Sequence, residues 1–477
     1  MNLLCISNGH GEDVIACRIL TALIQQQPNI QLAALPISGV GSAYRSAGIE
    51  IVGPTQVLPS GGFLNQDPRQ LARDMKGGLL GLTRSQLSAV KKWTKTWTSA
   101  PAAHTPQILA VGDIVPLLFA YRSGLPYHFV GTAKSEYWLR DERGKLPIAK
   151  FSDRLQGWSG SVYFPWERWL MARPRCRSVF VRDALTANHL QTLGVAAQYA
   201  GNPMMDGLAP TGKLATLLQA LRTQLQPAAP VPSPSTSGSD NYVTYPTADG
   251  EAASVSVTSG GPNKAKAAAL FLSPKPRLNP LTIALIPGSR PPEAYENWVN
   301  ILSAVPGLAA AFPNRSLILL GAIAPSLSLE RLEADALAAG LIAARQQQPY
   351  PICTYQNVTL VLTNDAYTDC LAEAEVAIAT AGTATEQFVG LGKPAITLPG
   401  KGPQFTSAFA TVQAKMLGPS VAMMSSADDV GSAIAKLISD PDRLQLVYQN
   451  GKQRMGDPGA GQRIATNLLD TIEIESK

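Results

Sequence analysis

Cysteine and histidine are scarce in this chain of 477 residues, which contains five cysteines and four histidines. The cysteines are odd in number and scattered, and no two of them form a C-x-x-C pair. Neither a disulfide framework nor a zinc site is therefore indicated. This cysteine usage favours a reducing, cytoplasmic location.

Long hydrophobic runs and blocks of one charge are also lacking. No apolar run approaches the ~20 residues of a membrane span, and the first residues do not have the pattern of a secretory signal. We therefore expect any membrane contact to be peripheral, on the inner face. The 40 Lys and Arg against 34 Asp and Glu give a net charge of +6. This mild excess suits phosphate-bearing ligands, and no basic block indicates a nucleic-acid partner.

Paired carboxylates of the D-x-D type occur once, at Asp440-Pro441-Asp442. This pair opens a late helical pattern, where capping of the helix explains it better than coordination of a cation. We therefore expect no metal ion and no other cofactor.

The two halves of the chain share one pattern, in which short apolar runs alternate with helical stretches. Such alternation is typical of parallel strands with helical crossovers. It predicts an α/β protein with a Rossmann-like domain at 1–210, a second one at 281–440, and C-terminal helices at 441–477 that close on the first domain. Two such domains leave a cleft between them, where ligands commonly bind.

Residues 211–280 are interpreted as a linker, and from about 226 onward Pro, Ser, Thr, Gly and Ala dominate its sequence. A segment of this composition has too little apolar surface to order itself. A regulated tether and a tolerated surface insertion both fit, and the insertion is the simpler interpretation.

Two loops of small residues in the second half are typical of anion sites. "ALIPGSR" contains Gly288, Ser289 and Arg290 after an apolar strand, a combination that suits a diphosphate. "TAGTATE" contains Gly382, Thr383, Ala384, Thr385 and Glu386 at a helix start, where amides bind anions and the glutamate can accept hydrogen bonds from a ribose or a sugar. A tight turn with a surface arginine, and a helix-start acid, are the plain alternatives. Gln404, in a third loop, is a further candidate for contact with a sugar or phosphate.

Candidate proton acceptors lie in the first half. "GHGED" contains His10, Glu12 and Asp13 between a strand and a helix, and Asp113 directly follows the strand "QILAVG". All four are placed to face the cleft, where an attacking hydroxyl needs a base. The alternatives are helix-start acids for Glu12 and Asp13, a solvated loop residue for His10, and an N-cap for Asp113.

Residues 60–100 mix aromatic, apolar and basic side chains. Trp93 and Trp97 beside Lys91 and Lys92 fit the headgroup boundary of an anionic membrane. "WERWLMARPRCR" (Trp166–Arg177) is a second, weaker example. An ordinary amphipathic helix that packs its apolar face inward is the alternative.

Taken together and in this order, "GHGED", "GNPMMDG", "ALIPGSR" and "TAGTATEQFVGLGKP" resemble the lipid-A-disaccharide synthases, inverting glycosyltransferases of GT-B fold. The resemblance covers most of the chain except about 226–280. It implies a second domain that binds a UDP-sugar through 287–290, 382–386 and Gln404, and a first domain that receives a lipid-linked acceptor. It also implies Asp113 as general base and 60–100 as the membrane-docking segment.

The opening loop departs from that family, which has Gly-Glu-x-Ser-Gly-Asp where this chain has His10 and Glu12. A glycine-flanked histidine is similar to the first loop of the peptidoglycan glucosaminyltransferase and the monogalactosyldiacylglycerol synthases. We therefore expect metal-independent transfer of a sugar from UDP to a lipid hydroxyl, with His10 or Asp113 as base. A nonhydrolysing UDP-N-acetylglucosamine 2-epimerase and a noncatalytic UDP-sugar or lipid-binding scaffold are the alternatives. An oligomer is possible.

Overall fold

The computed structural model describes most of the chain. The described residues are 2–9, 11–56, 77–99, 105–146, 157–225, 279–344, 349–400, 402 and 405–475. His10, Gln404 and the low-complexity part of the predicted linker lie outside them, so these predictions stay predictions.

The first domain is built on a sheet of seven parallel strands. In chain order its elements are β1 (Asn2–Ser7), α1 (Gly11–Gln26), β2 (Gln31–Pro36), α2 (Ser42–Ser46), β3 (Glu50–Ile51), α3 (Leu79–Thr98), β4 (Gln107–Gly112), α4 (Ile114–Ser123), β5 (Tyr127–Gly131), the hairpin strands β6 (Arg140–Asp141) and β7 (Gly144–Lys145), α5 (Pro165–Met171), β8 (Cys176–Val181), α6 (Ala184–Thr192) and β9 (Ala197–Gln198). The strand order is β3-β2-β1-β4-β5-β8-β9. Every residue of β1 and β4 is buried, as expected for parallel strands covered by helices on both faces.

The second domain is built on a sheet of eight strands. In chain order its elements are α7 (Ala215–Leu225), β10 (Leu281–Ile286), α8 (Glu293–Leu302), α9 (Val305–Ala311), β11 (Leu317–Ala322), α10 (Leu329–Ala338), β12 (Ile342–Ala343), β13 (Ile352–Tyr355), β14 (Val358–Thr363), α11 (Tyr367–Glu373), β15 (Val376–Ala379), α12 (Thr383–Gly390), β16 (Ala395–Thr397), α13 (Ser407–Leu417), β17 (Val421–Met423), α14 (Val430–Ile438), α15 (Pro441–Met455) and α16 (Ala460–Glu475). The order β12-β13-β14-β11-β10-β15-β16-β17 is parallel from β14 to β17, and β12 and β13 are antiparallel.

Residues 211–225, the first part of the predicted linker, pack on the second domain. Leu214, Leu217, Leu218 and Leu221 are buried at helical spacing, which makes α7 an ordinary amphipathic helix. The Asp369 carboxylate accepts a hydrogen bond from the Gly212 amide at 2.6 Å. The helix therefore continues the fold, and the compositional change that marks the linker begins only after Leu225.

The last two helices divide between the domains. α15 packs beside α12 of the second domain, whereas α16 lies along α1 of the first, where Gln26 Nε2 donates to Gln462 Oε1 at 2.7 Å. Asp206, in the segment "GNPMMDG", accepts hydrogen bonds from three amides at the start of α16. These amides are those of Gly459 at 2.6 Å, Ala460 at 3.1 Å and Gly461 at 2.7 Å. One carboxylate thus fixes the return of the chain to the first domain.

Asp206→Ala should lower the free energy of unfolding by about 2 kcal/mol, because hydrogen bonds to a charged group contribute about 1.5–3 kcal/mol and three amides lose their acceptor together. Urea unfolding followed by circular dichroism measures the change. Asp429→Ala is the matched control, since Asp429 stands before α14 without a side-chain capping bond. Equal stability of the two variants would contradict the capping role.

Candidate active site

The loops that follow β1 and β15 meet across the cleft. A Cβ atom added at Gly11, the first residue of α1, would lie only 3.8 Å from Oγ1 of Thr383, the first residue of α12. Gly9 has a φ of +119°, and a Cβ there would lie 2.2 Å from the Ser38 carbonyl oxygen. The glycine allows the loop to pack against the end of β2 and to bring the start of α1 to the cleft.

Glu12 is half-buried in the first turn of α1, and several charges act on it. Burial raises the pKa of the Glu12 carboxyl to about 7, and the negative charges of Asp113 and Asp13 raise it further, whereas the positive charge of Arg290 lowers it. Arg290 belongs to the second domain, so the electrostatic field on Glu12 comes from both sides of the cleft. A carboxyl that titrates near neutral pH is suited to accepting a proton from a substrate.

Asp13 does not face the cleft, which corrects the prediction for this residue. Its side chain is buried, and Oδ1 accepts a hydrogen bond from Ser7 Oγ at 2.6 Å. Ser7 Oγ in turn accepts from the Tyr44 hydroxyl at 2.7 Å. Successive residues of a helix point about 100° apart, so Asp13 can point into the domain while Glu12 points in another direction. Asp13 anchors the start of α1 to the domain core.

Asp113 is the N-cap of α4, as the alternative interpretation has it. Its Oδ1 accepts from the Val115 amide at 2.8 Å, and its own amide donates to Asn8 Oδ1 at 3.0 Å. Asn8 thereby joins the loops after β1 and β4. The Asp113 carboxylate still lies close enough to Glu12 to raise the pKa of that residue.

Two side chains that the motifs did not reveal donate hydrogen bonds to the predicted anion-binding loops of the second domain. Asn297 of α8 is buried, and its Nδ2 donates to the carbonyl oxygens of Pro287 at 3.1 Å and Thr380 at 3.4 Å. Gln413 of α13 donates to the Gly382 carbonyl oxygen at 2.8 Å. These bonds engage the carbonyls of the loops that follow β10 and β15. The sequence signal that could have identified both residues is an amide side chain at a position on the otherwise apolar face of an amphipathic helix, because such an amide needs hydrogen-bond partners once buried.

The predicted nucleotide-sugar residues differ in how far they are buried. Ser289 and Thr383 are exposed, whereas Gly288, Arg290, Gly382 and Ala384 are half-buried. Thr385 is buried and donates to the Ala381 carbonyl oxygen at 2.5 Å, so its hydroxyl stabilises the first turn of α12. Gly288 to Arg290 and Gly382 to Ala384 are therefore accessible at the ends of their loops, whereas the Thr385 side chain is not.

Glu386 forms a buried ion pair with Arg182 of the first domain. The distance from Arg182 Nη2 to Glu386 Oε2 is 3.4 Å, and neither residue exceeds 6% exposure. In this arrangement the carboxylate faces the guanidinium. Contact with a ribose or a sugar therefore requires Glu386 to share its oxygens between Arg182 and the ligand.

Gln404 lies outside the described residues, but the loop that contains it is anchored nearby. Glu293 of α8 accepts a hydrogen bond from the Phe405 amide at 2.6 Å. Glu293 is buried, and the sequence analysis did not single it out. It ties the loop after β16 to the helix that follows Arg290.

The described part of the predicted membrane segment, 77–99, packs its apolar face inward. Trp93 is 9% exposed and belongs to the core of the first domain, and the partly buried Trp97 packs against that core. Gln86, on the same face, donates to the Ile37 carbonyl oxygen at 3.0 Å. The prediction that Trp93 and Trp97 contact lipid is therefore wrong for Trp93, and Trp97 is also turned toward the protein. Lys91 and Lys92 are exposed.

Other predicted features are found as follows. All five cysteines are free thiols. In the described ranges, no group of three or more His, Cys, Asp or Glu residues is arranged to hold a metal ion. Asp440 caps α15 by accepting from the Arg443 amide at 2.9 Å. None of the helices in the described ranges combines the length and hydropathy that spanning a bilayer requires.

No family model and no curated protein sequence matches this chain. Solved structures do. A putative UDP-N-acetylglucosamine 2-epimerase from Listeria monocytogenes is 12% identical, with a TM-score of 0.50 over 99% of this chain and 97% of that chain. A co-structure of S. aureus MnaA with UDP is 12% identical, with a TM-score of 0.50 over 99% and 98%. The calicheamicin glycosyltransferase CalG4 is 12% identical, with a TM-score of 0.51 over 99% and 98%. At this identity the similarity establishes the fold, and the chain therefore has the GT-B architecture of two Rossmann-like domains facing a cleft.

Proposed function

We propose that this protein transfers a sugar from a UDP-sugar to a hydroxyl of a lipid or glycolipid acceptor, with inversion, at the inner surface of a membrane. One observation carries the proposal: the start of α1, which contains Glu12, and the start of α12 meet across one cleft, where a Cβ at Gly11 would lie 3.8 Å from Thr383 Oγ1. The charges of Glu12 and Arg290 also shift each other's pKa across this cleft. A cation that stabilises a leaving diphosphate thus stands opposite a carboxyl able to take the acceptor proton.

The donor is assigned to the second domain. The Arg290 guanidinium and the amides at the start of α12, from Gly382 to Ala384, suit the diphosphate of a nucleotide-sugar. The S. aureus neighbour MnaA was solved as a co-structure with UDP. Positive charge from an arginine and a helix N-terminus offsets the charge that develops on the departing UDP. We therefore propose that no divalent cation is needed.

In the proposed step, the acceptor hydroxyl gives its proton to Glu12 while its oxygen attacks the anomeric carbon. The bond from that carbon to the diphosphate oxygen breaks, and its electron pair leaves with UDP. Attack from the face opposite the leaving group inverts the anomeric centre. Glu12 replaces Asp113 as the preferred base because Asp113 already caps α4, and His10 stays a second candidate.

A second candidate function is 2-epimerisation of UDP-N-acetylglucosamine, since the Listeria neighbour is described as a putative enzyme of that kind. An epimerase uses the same donor site but no acceptor. The two functions therefore differ in the product expected when the donor is present and the acceptor is absent.

Incubation with UDP-N-acetylglucosamine in EDTA, with and without a membrane lipid extract, should yield a new glycolipid only when lipid is present. Mass spectrometry of the lipid phase and nuclear magnetic resonance of the nucleotide-sugar measure the two products. Conversion of the donor to its 2-epimer without lipid would show that the protein is an epimerase and would contradict the proposed transfer. UDP binding with neither product would favour a noncatalytic scaffold.

Arg290→Ala should weaken UDP binding by roughly tenfold to a hundredfold, because a charge-assisted contact to phosphate is worth about 1.5–3 kcal/mol. Isothermal titration calorimetry with UDP measures it. Lys436→Ala, on the exposed surface of α14 in the same domain, is the matched control. An Arg290→Ala protein that binds UDP as the control does would rule out the donor assignment.

Glu12→Gln should stabilise the protein increasingly as the pH rises from about 4.5 to 7.5. The pKa of Glu12 is about 7 in the folded chain and about 4.3 in an unfolded one, so in this window the unfolded chain releases a proton that the folded chain retains. The free energy of unfolding of the wild type is therefore highest below this pH window. It decreases as the pH rises across the window, by on the order of 2 kcal/mol after allowance for screening. Because glutamine cannot ionise, the Glu12→Gln protein does not lose stability in this way.

Urea unfolding of both proteins at several pH values tests the expectation, because other titrations cancel in the difference. Glu296→Gln, at an exposed position of α8, reports the effect of the same substitution on a helix surface. A difference between wild type and Glu12→Gln that stays constant with pH would show that Glu12 does not titrate in this range.

A further inference from the structure

Helices α3, α4 and α5 cover the same face of the first sheet. Their inward side chains, among them Val90, Leu117 and Leu170, belong to one core cluster with β1, β4 and β5. The outer surfaces of these three helices, together with residues 157–164, form what we call the basic–aromatic face. It is the part of the first domain whose charge and composition the proposed reaction does not explain.

Cations dominate the basic–aromatic face. Exposed or half-buried basic side chains are Arg84, Lys91, Lys92 and Lys95 on α3, Arg122 on α4, and Arg168, Arg173 and Arg175 in and after α5. Residues 77–99 and 114–123 contain no Asp or Glu at all, and 157–177 contain only Glu167. Glu167 is 1% exposed and lies 2.6 Å from Lys134 Nζ. No acidic side chain in these described segments is therefore exposed to balance the cations.

Large aromatic side chains are exposed among these cations. Trp158 is 77% exposed, Trp166 54% and Trp169 47%, in contrast to the buried Trp93. The Arg173 guanidinium lies 4.1 Å from the centre of the Trp169 ring, and Phe164 stacks on Trp166 at 4.6 Å. Indole rings beside cations match the headgroup boundary of a bilayer, where the ring is half-buried and the cation meets anionic lipid.

Aliphatic side chains favour lipid over nucleic acid as the partner. Leu80 on α3 is 57% exposed and Leu118 on α4 is 40% exposed. Bases stack on aromatic rings and gain little from an isolated leucine. Acyl chains, in contrast, bury leucine and tryptophan alike, while each Lys or Arg near the surface adds attraction to anionic headgroups.

The basic–aromatic face reaches the cleft. α4 begins immediately after Asp113, and Lys134, which follows β5, pairs with Glu167 of α5.

We infer that the basic–aromatic face docks on an anionic lipid bilayer, with Trp158, Trp166 and Trp169 at the headgroup boundary. This inference rests on the proposed function for its purpose, since it would present a lipid hydroxyl to the Asp113 side of the cleft. It moves the membrane contact from Trp93 and Trp97 to residues 157–164 and to α5.

Sedimentation with vesicles tests the inference on the full chain. Vesicles of phosphatidylcholine and phosphatidylglycerol (~70:30) should bind the protein, and vesicles of phosphatidylcholine alone should bind it at least tenfold more weakly. Trp166→Ser/Trp169→Ser and Lys91→Glu/Lys92→Glu should each lower binding to the anionic vesicles by at least tenfold. The charge variant should also lose most of its salt dependence.

Matched controls lie on the second domain. Val299→Ser/Leu446→Ser removes two apolar side chains that are 53% and 45% exposed, and Arg331→Glu/Lys436→Glu reverses two exposed charges. Both should bind vesicles as the wild type does, and thermal melting confirms that all variants fold. Failure of the wild type to bind anionic vesicles, equal losses in the controls, or displacement by single-stranded oligonucleotide would overturn the inference.

UDP calorimetry on the same proteins separates the two proposals. Wild-type protein that binds UDP but no vesicles contradicts the docking face alone. Vesicle binding without UDP binding contradicts the donor site alone. The tryptophan variant should retain wild-type affinity for UDP, because α5 lies on the first domain and the diphosphate loops lie on the second.

Discussion

Parallel strands direct all their carboxyl ends to one edge of a sheet, and the candidate site depends on this constraint in both domains. The loops at that edge have backbone carbonyls and amides that no strand partner satisfies. Side-chain amides donate hydrogen bonds to some of these carbonyls: Asn297 binds the loop after β10, and Gln413 binds the loop after β15. Asn8 performs the related task in the first domain, where it binds the Asp113 amide. The amides at the start of α12 are then the groups that a ligand can use.

The two domains are not independent bodies joined only by a linker. Met205, Phe388 and Met455 are fully buried in one apolar cluster that includes residues of both sheets. The Arg182–Glu386 pair is buried at the same junction. Breaking a buried pair by removing one partner commonly costs about 3–5 kcal/mol because the other charge is left without compensation. Opening of the cleft is therefore restrained, and a ligand that draws Glu386 from Arg182 has to supply a replacement charge or hydrogen-bond donor.

Much of the fold could be predicted from the sequence, because strands, glycine loops and helix starts are local patterns. The loops of Gly288 and Gly382 follow strands as expected, and Asp113 occupies its capping alternative. The direction of individual side chains could not be predicted. Trp93 follows Lys92 and Trp169 follows Arg168, yet the first is in the core and the second is exposed. Only the packing of each helix on the sheet determines which side of the residue pattern faces the solvent.

The same limit separates Glu12 from Asp13, which are neighbours in sequence and acids in one motif. Asp13 is fixed by Ser7 and through it by Tyr44, so the start of α1 has one orientation in the domain core. That orientation turns Glu12 to the cleft, where burial and neighbouring carboxylates raise its pKa to about 7. Holding a carboxyl near its titration point reduces stability at neutral pH, and sites of this kind usually need rigid support. Here the buried aspartate provides that support, and the acid beside it is the one whose carboxyl titrates near neutral pH.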